Sequence, residues 1–133
     1  MKSMRYCIIQ CTWGCMQTLL GCIIYLINRK HKHYKFFTCI TTEWNRKYGI
    51  SLGLFIFIPA DCTAKKEVLT HELGHSMQSL YLGPLYLVPG LCSVLWAMHP
   101  CLVRYRRKHH ISYHAFWTEK WADLLGEKAV KRF

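Results

Sequence analysis

The stretch Cys7 to Ile27, CIIQCTWGCMQTLLGCIIYLI, constrains this chain more than any other feature, because 21 consecutive residues carry no charge. As one helix rising about 1.5 Å per residue it would reach roughly 31 Å, the thickness of a bilayer's hydrocarbon core. Lys2 and Arg5 precede it; Arg29, Lys30, Lys32 and Lys35 follow it. A cleaved signal peptide would have a shorter apolar region ending in small residues, whereas this one ends in Tyr25-Leu26-Ile27-Asn28. The reading is a retained anchor in the cell membrane. Its heavier cationic flank is C-terminal, which places that side in the cytoplasm.

Composition agrees. Hydrophobic residues make up 52% of the 133, and 18 Lys and Arg stand against 7 acids, a net charge of +11. That apolar content excludes an intrinsically disordered chain. The positive charge would also suit a nucleic-acid binder. However, the basic runs flank apolar segments and do not form one stripe, so lipid headgroups explain them better and no nucleic-acid partner is expected. The 8 cysteines include no Cys-x-x-Cys pair. Cys7, Cys11, Cys15 and Cys22 follow helical spacing, where a reduced thiol acts as a small hydrophobe.

Two units follow: 1–35, an N-terminal membrane anchor with its basic flank, and 36–133, a metal-binding domain. Asn28 to Tyr48 reads as a polar connector. Ile50 to Ile58, ISLGLFIFI, is β-branched and aromatic between Gly49 and Pro59, and reads as one strand, either at a sheet edge or in the core. A helix is expected from Ala64 to Leu82, capped by Asp61 or Thr63 and stopped at Gly83-Pro84. Leu82 to Val103 is apolar but interrupted by Gly83, Pro84, Pro89, Gly90 and Pro100. A last amphipathic helix is expected from Ser112 to Phe133, with Gly126 ending or kinking it.

The sharpest chemical signal is His71-Glu72-Leu73-Gly74-His75, an H-E-x-x-H motif. Residues i and i+4 share a helix face, so two imidazoles can reach one ion, and the glutamate beside the first can serve as general base toward metal-activated water. A catalytic zinc needs a third protein ligand and one open position. Of the few acids, Glu119, Asp123 and Glu127 fall at i, i+4 and i+8 on the last helix. Such a stripe is often only a solvated face. Here Glu119 can close the ligand set, and Asp123 can accept the ring N–H of a liganding histidine and fix its tautomer.

HELGH followed by Glu119-x-x-x-Asp123 resembles the gluzincin pattern. With TEKWAD, between apolar segments, the chain is similar in particular to membrane zinc metalloproteases of the CAAX prenyl protease and heat-shock protease type. The stretch GHSMQSLYLGPLYLVPGL also resembles small bacterial membrane proteins. The resemblance covers 67–126. It implies zinc on His71, His75 and Glu119, Glu72 as general base, Asp123 as the supporting acid, and a peptide or membrane-protein segment as substrate. It assigns no oxyanion-stabilising group; Tyr113, His114 and Arg104 are candidates by proximity.

The expected fold is mainly α with a short β element, a membrane-anchored, zincin-like helical core. His75 and Glu119 must meet on one membrane face, so 82–103 cannot be a single crossing. At about 20 residues per crossing it is also too short for two, which leaves a re-entrant or membrane-associated path. The expected function is a membrane-associated zinc peptidase with a cytoplasmic active site. The alternative is a non-catalytic membrane protein whose same residues hold a structural metal or none.

Overall fold

The computed structural model describes residues 2–112 and 117–132. It is mostly helical with a small mixed sheet. The elements run α1 (Lys2–Thr12), α2 (Cys15–Ile27), β1 (Lys32–Phe36), β2 (Cys39–Trp44), β3 (Ile50–Leu52), β4 (Phe55–Pro59), α3 (Lys65–Leu82), a 3-10 turn (Gly83–Tyr86), α4 (Leu87–Met98), α5 (Pro100–Lys108) and α6 (Trp117–Arg132).

The sheet is larger than the sequence suggested. Its order is β1-β2-β4-β3, with β2 and β4 parallel and the two outer pairs antiparallel. The expected polar connector 28–48 supplies β1 and β2. The expected single strand 50–58 is a hairpin, folded at Gly53, whose φ of +62° suits a two-residue turn between the paired Leu52 and Phe55. That division settles the edge-or-core alternative: β3 is the sheet edge, and β4 is a core strand with Ile56, Phe57 and Ile58 fully buried.

Strand periodicity sorts the core into two layers. Ile56 and Ile58 pack with Leu69, Leu73 and Ala129 on one face of β4, while Phe55 and Phe57 pack with Trp44 and Leu52 on the other, covered by Cys22, Ile24 and Tyr25 of α2. Helix α3 therefore lies against one face of the sheet and α2 against the other.

The uncharged stretch 7–27 is not one straight helix. It breaks at Trp13-Gly14, and the chain turns through 97° between α1 and α2. Gln10 and Gln17, both fully buried, turn toward α3. Gln10 Nε2 donates to the Ser76 carbonyl at 2.9 Å, and Gln17 Nε2 donates to Ser79 Oγ and the Gly83 carbonyl, each at 2.7 Å. By length, the bent pair counts as a broken span or a re-entrant loop.

Helix α3 begins at Lys65 after Ala64, with no side-chain cap bond from Asp61 or Thr63. It stops at Gly83, whose φ of +57° is reached without the strain a side chain would add. The helical run Lys65–Met98 is long and apolar enough to cross a membrane by length and composition. Only 12% of its apolar window is buried, whereas α3 is packed at residues 69–79, so that window lies toward α4. The path bends again at His99, extended before Pro100 opens α5. Helix α6 is described over Trp117–Arg132, residues 113–116 of the expected helix lie outside the described residues, and Ser112 is not helical. Gly126 neither ends nor kinks α6; it is a point of close approach to α3. All 8 cysteines are free.

Candidate metal centre

Two glycines let α3 and α6 come together. A Cβ on Gly74 would lie 1.7 Å from the Ala122 carbonyl oxygen, and one on Gly126 would lie 2.0 Å from that of Thr70. Both are impossible distances, so only glycine permits this packing. The glycine within HELGH is thus what brings the two histidines within reach of α6.

Across that seam the distant carboxylate meets the imidazole pair. Glu119 Oε2 lies 2.8 Å from His71 Nε2 and 3.2 Å from His75 Nε2. The rings stand edge to face, 4.8 Å between centroids. The other ring nitrogens are engaged: His71 Nδ1 donates to Asp123 Oδ1 at 2.6 Å, and His75 Nδ1 donates to Gln78 Oε1 at 2.8 Å. Gln78 Nε2 donates to the Thr118 carbonyl at 2.6 Å, which fixes the orientation of its amide. Each Nδ1 proton is therefore committed, and each Nε2 faces the shared point, the arrangement a metal-liganding imidazole requires.

Among the described residues, His71, His75 and Glu119 could hold a metal ion, with one ligand atom from each within 4.8 Å of the others. Two ligands about 2.0 Å from a tetrahedral ion sit roughly 3.3 Å apart. The His75–Glu119 pair already has that separation, and His71–Glu119 needs a shift of about half an ångström. A second observation supports the fit. Glu119 is fully buried, and its Oε1 has no hydrogen-bond partner; Glu72 Oε2 is likewise buried and unpartnered. Among the described residues, Gln17, Thr41 and Ser51 carry such atoms elsewhere, but only at this centre are they carboxylate oxygens. A buried carboxylate oxygen left bare is costly unless something else binds it.

The electrostatics follow from this crowding. Burial alone would push the Glu119 carboxyl up, but hydrogen bonds from His71 and His75 and their charge hold it well below the usual range. Burial opposes charge on His71, yet its bonds to Glu119 and Asp123 and the nearby Glu72 outweigh that and raise it to about 9. His75 is raised by the same balance with Glu119 and Glu72. Glu72 is pushed up by desolvation, only partly countered by the histidines.

Glu72 sits where Gly49 leaves room, since a Cβ there would be 2.6 Å from Glu72 Oε1. Glu72, His71 and Asp123 line a cleft of about 720 Å³, walled by Tyr48 and Ile50, by Ala97 and Met98 of α4, and by Arg106 of α5. The edge strand thus begins at the cleft mouth. One of its acceptors is occupied, because Tyr86 Oη donates to the Ser51 carbonyl at 3.1 Å.

The structure brings together all the metal-site residues read from the sequence: His71, His75, Glu119 and Asp123, with Glu72 beside them. Glu127 is exposed and takes no part. Arg104 is exposed and does not line the cleft; Arg106, two residues on, does. Tyr113 and His114 lie outside the described residues. Gln78 was missed, although its place three residues after His75 on one helix was a usable signal. Comparison with protein-family models, with curated proteins and with solved structures finds no match for this chain.

Proposed function

We propose that the protein is a zinc-dependent peptidase of the gluzincin type acting at a membrane surface. The observation that carries this reading is the convergence of His71 Nε2, His75 Nε2 and a buried, half-unpartnered Glu119 carboxylate, with the bare Glu72 oxygen beside them at the cleft. Two imidazoles and one carboxylate form a donor set suited to zinc with one position left open. Zinc held there would supply Lewis acidity, polarising a carbonyl and making water easier to deprotonate.

The chain's own groups supply the rest. Glu72, its basicity raised by burial, takes a proton from the attacking water and passes it to the leaving amine. Asp123 and Gln78 hold the two imidazoles in the tautomer that leaves Nε2 free. The cleft between the start of β3 and the end of α4 admits an extended peptide or an unfolded segment of a membrane protein, with the backbone at Gly49 and Ile50 offering strand pairing. The cationic surface favours the anionic cytoplasmic leaflet.

One feature favours a second reading, a metal-holding protein without catalysis. Glu119 is fully buried, and the His71 side chain is only 11% exposed, so the centre is nearly closed. Glu72→Gln separates the two. On the peptidase reading it keeps the metal and loses hydrolysis of an unfolded protein substrate by 10²- to 10⁴-fold, the usual weight of a general base. Equal cleavage by the variant and the wild type would rule the mechanism out.

A further inference from the structure

The uncharged segment that the sequence presents as a span is folded in a way that a crossing helix is not. We infer that the α1–α2 elbow, together with the start of α4, inserts into one leaflet of an anionic bilayer without crossing it. This deepens the membrane part of the proposed function and does not depend on the metal or on hydrolysis.

Length comes first. Helix α1 has 11 residues and α2 has 13, roughly 16 and 20 Å of helix. With a turn of 97° between them, a symmetric elbow dips only about 12 to 15 Å, half of a hydrocarbon core of about 30 Å.

The surface of the elbow comes second. Its outer side exposes Trp13, Met16, Leu19 and Ile23 and carries no charged residue. That surface continues onto the next apolar element. The Trp13 ring packs where a Gly83 side chain would be, and beyond Gly83 stand Leu85 and Val88, 66% and 65% exposed. An apolar surface of this extent is rare on a protein that meets only water.

The backbone comes third. A break in a helix leaves carbonyls and amides that lipid cannot satisfy. Here side chains meet part of that need from within. Thr18 Oγ1 donates to the Gln10 carbonyl at 2.7 Å, Thr12 Oγ1 donates to that of Ile8 at 2.8 Å, and Gln17 donates to Gly83 across the corner.

Charge completes the case for a bilayer over a second copy of the chain. The two arms end in exposed cations, Arg5 before the elbow and Arg29, Lys30 and Lys32 after it. Two copies meeting through this face would bring those like charges together, whereas an anionic headgroup layer would neutralise them. Along α3 the histidines lie roughly 12 to 18 Å from the Gly83 corner, so an inserted elbow holds the metal centre near headgroup level.

The test uses the full chain, diluted from detergent onto sealed phosphatidylcholine vesicles with or without 30% phosphatidylglycerol. Arg5→Cys and Arg29→Cys are combined in one chain and exposed to a membrane-impermeant maleimide. Insertion into one leaflet gives molecules labelled at both positions, at least tenfold slower labelling of native Cys11 and Cys15 than in solution, and at least tenfold better flotation with the anionic lipid. Leu19→Glu should abolish flotation while keeping the circular dichroism and cooperative thermal unfolding of the wild type, which shows that the variant folds. Molecules labelled at only one of the two positions would mean a crossing and overturn the inference. So would flotation that ignores Leu19→Glu, or a dimer that Leu19→Glu dissociates with no vesicle binding by the wild type.

Discussion

Helix α3 has two buried polar faces, and they solve the problem of burying polarity differently. Toward α1 and α2, Ser76 and Ser79 meet Tyr6, Gln10 and Gln17, all neutral groups that bond to one another and to backbone carbonyls. Ser76 also donates to the Gly53 carbonyl at 2.7 Å, tying the helix to the hairpin turn. Toward α6, His71, Glu72, His75 and Glu119 are ionisable, and two carboxylate oxygens remain bare. The neutral face is a joint, largely satisfied by the protein alone. The ionisable face leaves two carboxylate oxygens bare and gathers three side chains that could hold a metal ion. The difference separates polar residues that hold a fold from polar residues that could hold a ligand.

The sharpest way to break the comparison is at the α3–α6 seam. Gly74→Ala places a methyl against backbone that has no room for it, and should cost about 3 kcal/mol or more, the upper range of overpacking. Thermal unfolding should show that loss, and metal affinity should fall with it because the donors separate. The next largest effect is on pH. Without metal, His71 carries a proton up to about pH 9, and a bound metal must displace it. Apparent zinc affinity should therefore climb as pH rises and level off above 9, with a gain of about 50-fold between pH 7 and 9 from this one proton. A titration that levels off near 6.5 would show an ordinary imidazole.

Smaller again is the loss of a supporting partner. Asp123→Asn and Gln78→Ala should each weaken zinc binding by about 10- to 100-fold at constant pH, as outer partners of liganding histidines do. The mildest change sharpens the contrast from the neutral side. Gln10→Leu leaves the Ser76 and Ser79 groups short of a partner and should cost about 1 to 3 kcal/mol of stability in chemical denaturation. Zinc affinity of the folded variant should not move. A drop in affinity would mean that the two faces are coupled.

Part of this was legible in the sequence, for physical reasons. Two histidines four residues apart carry their geometry with them, because a helix leaves little choice of face. The end of α3 was legible because Gly83-Pro84 is stereochemical punctuation. Glu119 could be read only through the spacing to Asp123, since nothing local shows that a residue 44 positions away folds back. The missed parts are those decided by tertiary partners. Strand β1 contains Lys32, His33 and Lys35, which look like a connector until a sheet gives them an outer edge, and β2 buries Glu43 only because Lys65 and Tyr34 bond to it. The elbow at Trp13-Gly14 has no proline to announce it, and Gln10 and Gln17, whose amides bond to α3 on either side of the bend, count in hydropathy as mere interruptions. Gly126 looked like a helix end because glycine's backbone freedom and its lack of a side chain read alike in one dimension.

The claim beneath all of this is that two imidazoles and one carboxylate close on a single metal ion. Zinc content of the purified full chain, measured with Glu119→Gln alongside, tests it most directly. The account predicts one zinc per chain in the wild type and almost none in the variant, with both proteins folded. No zinc in the wild type, or equal zinc in the two, would contradict it.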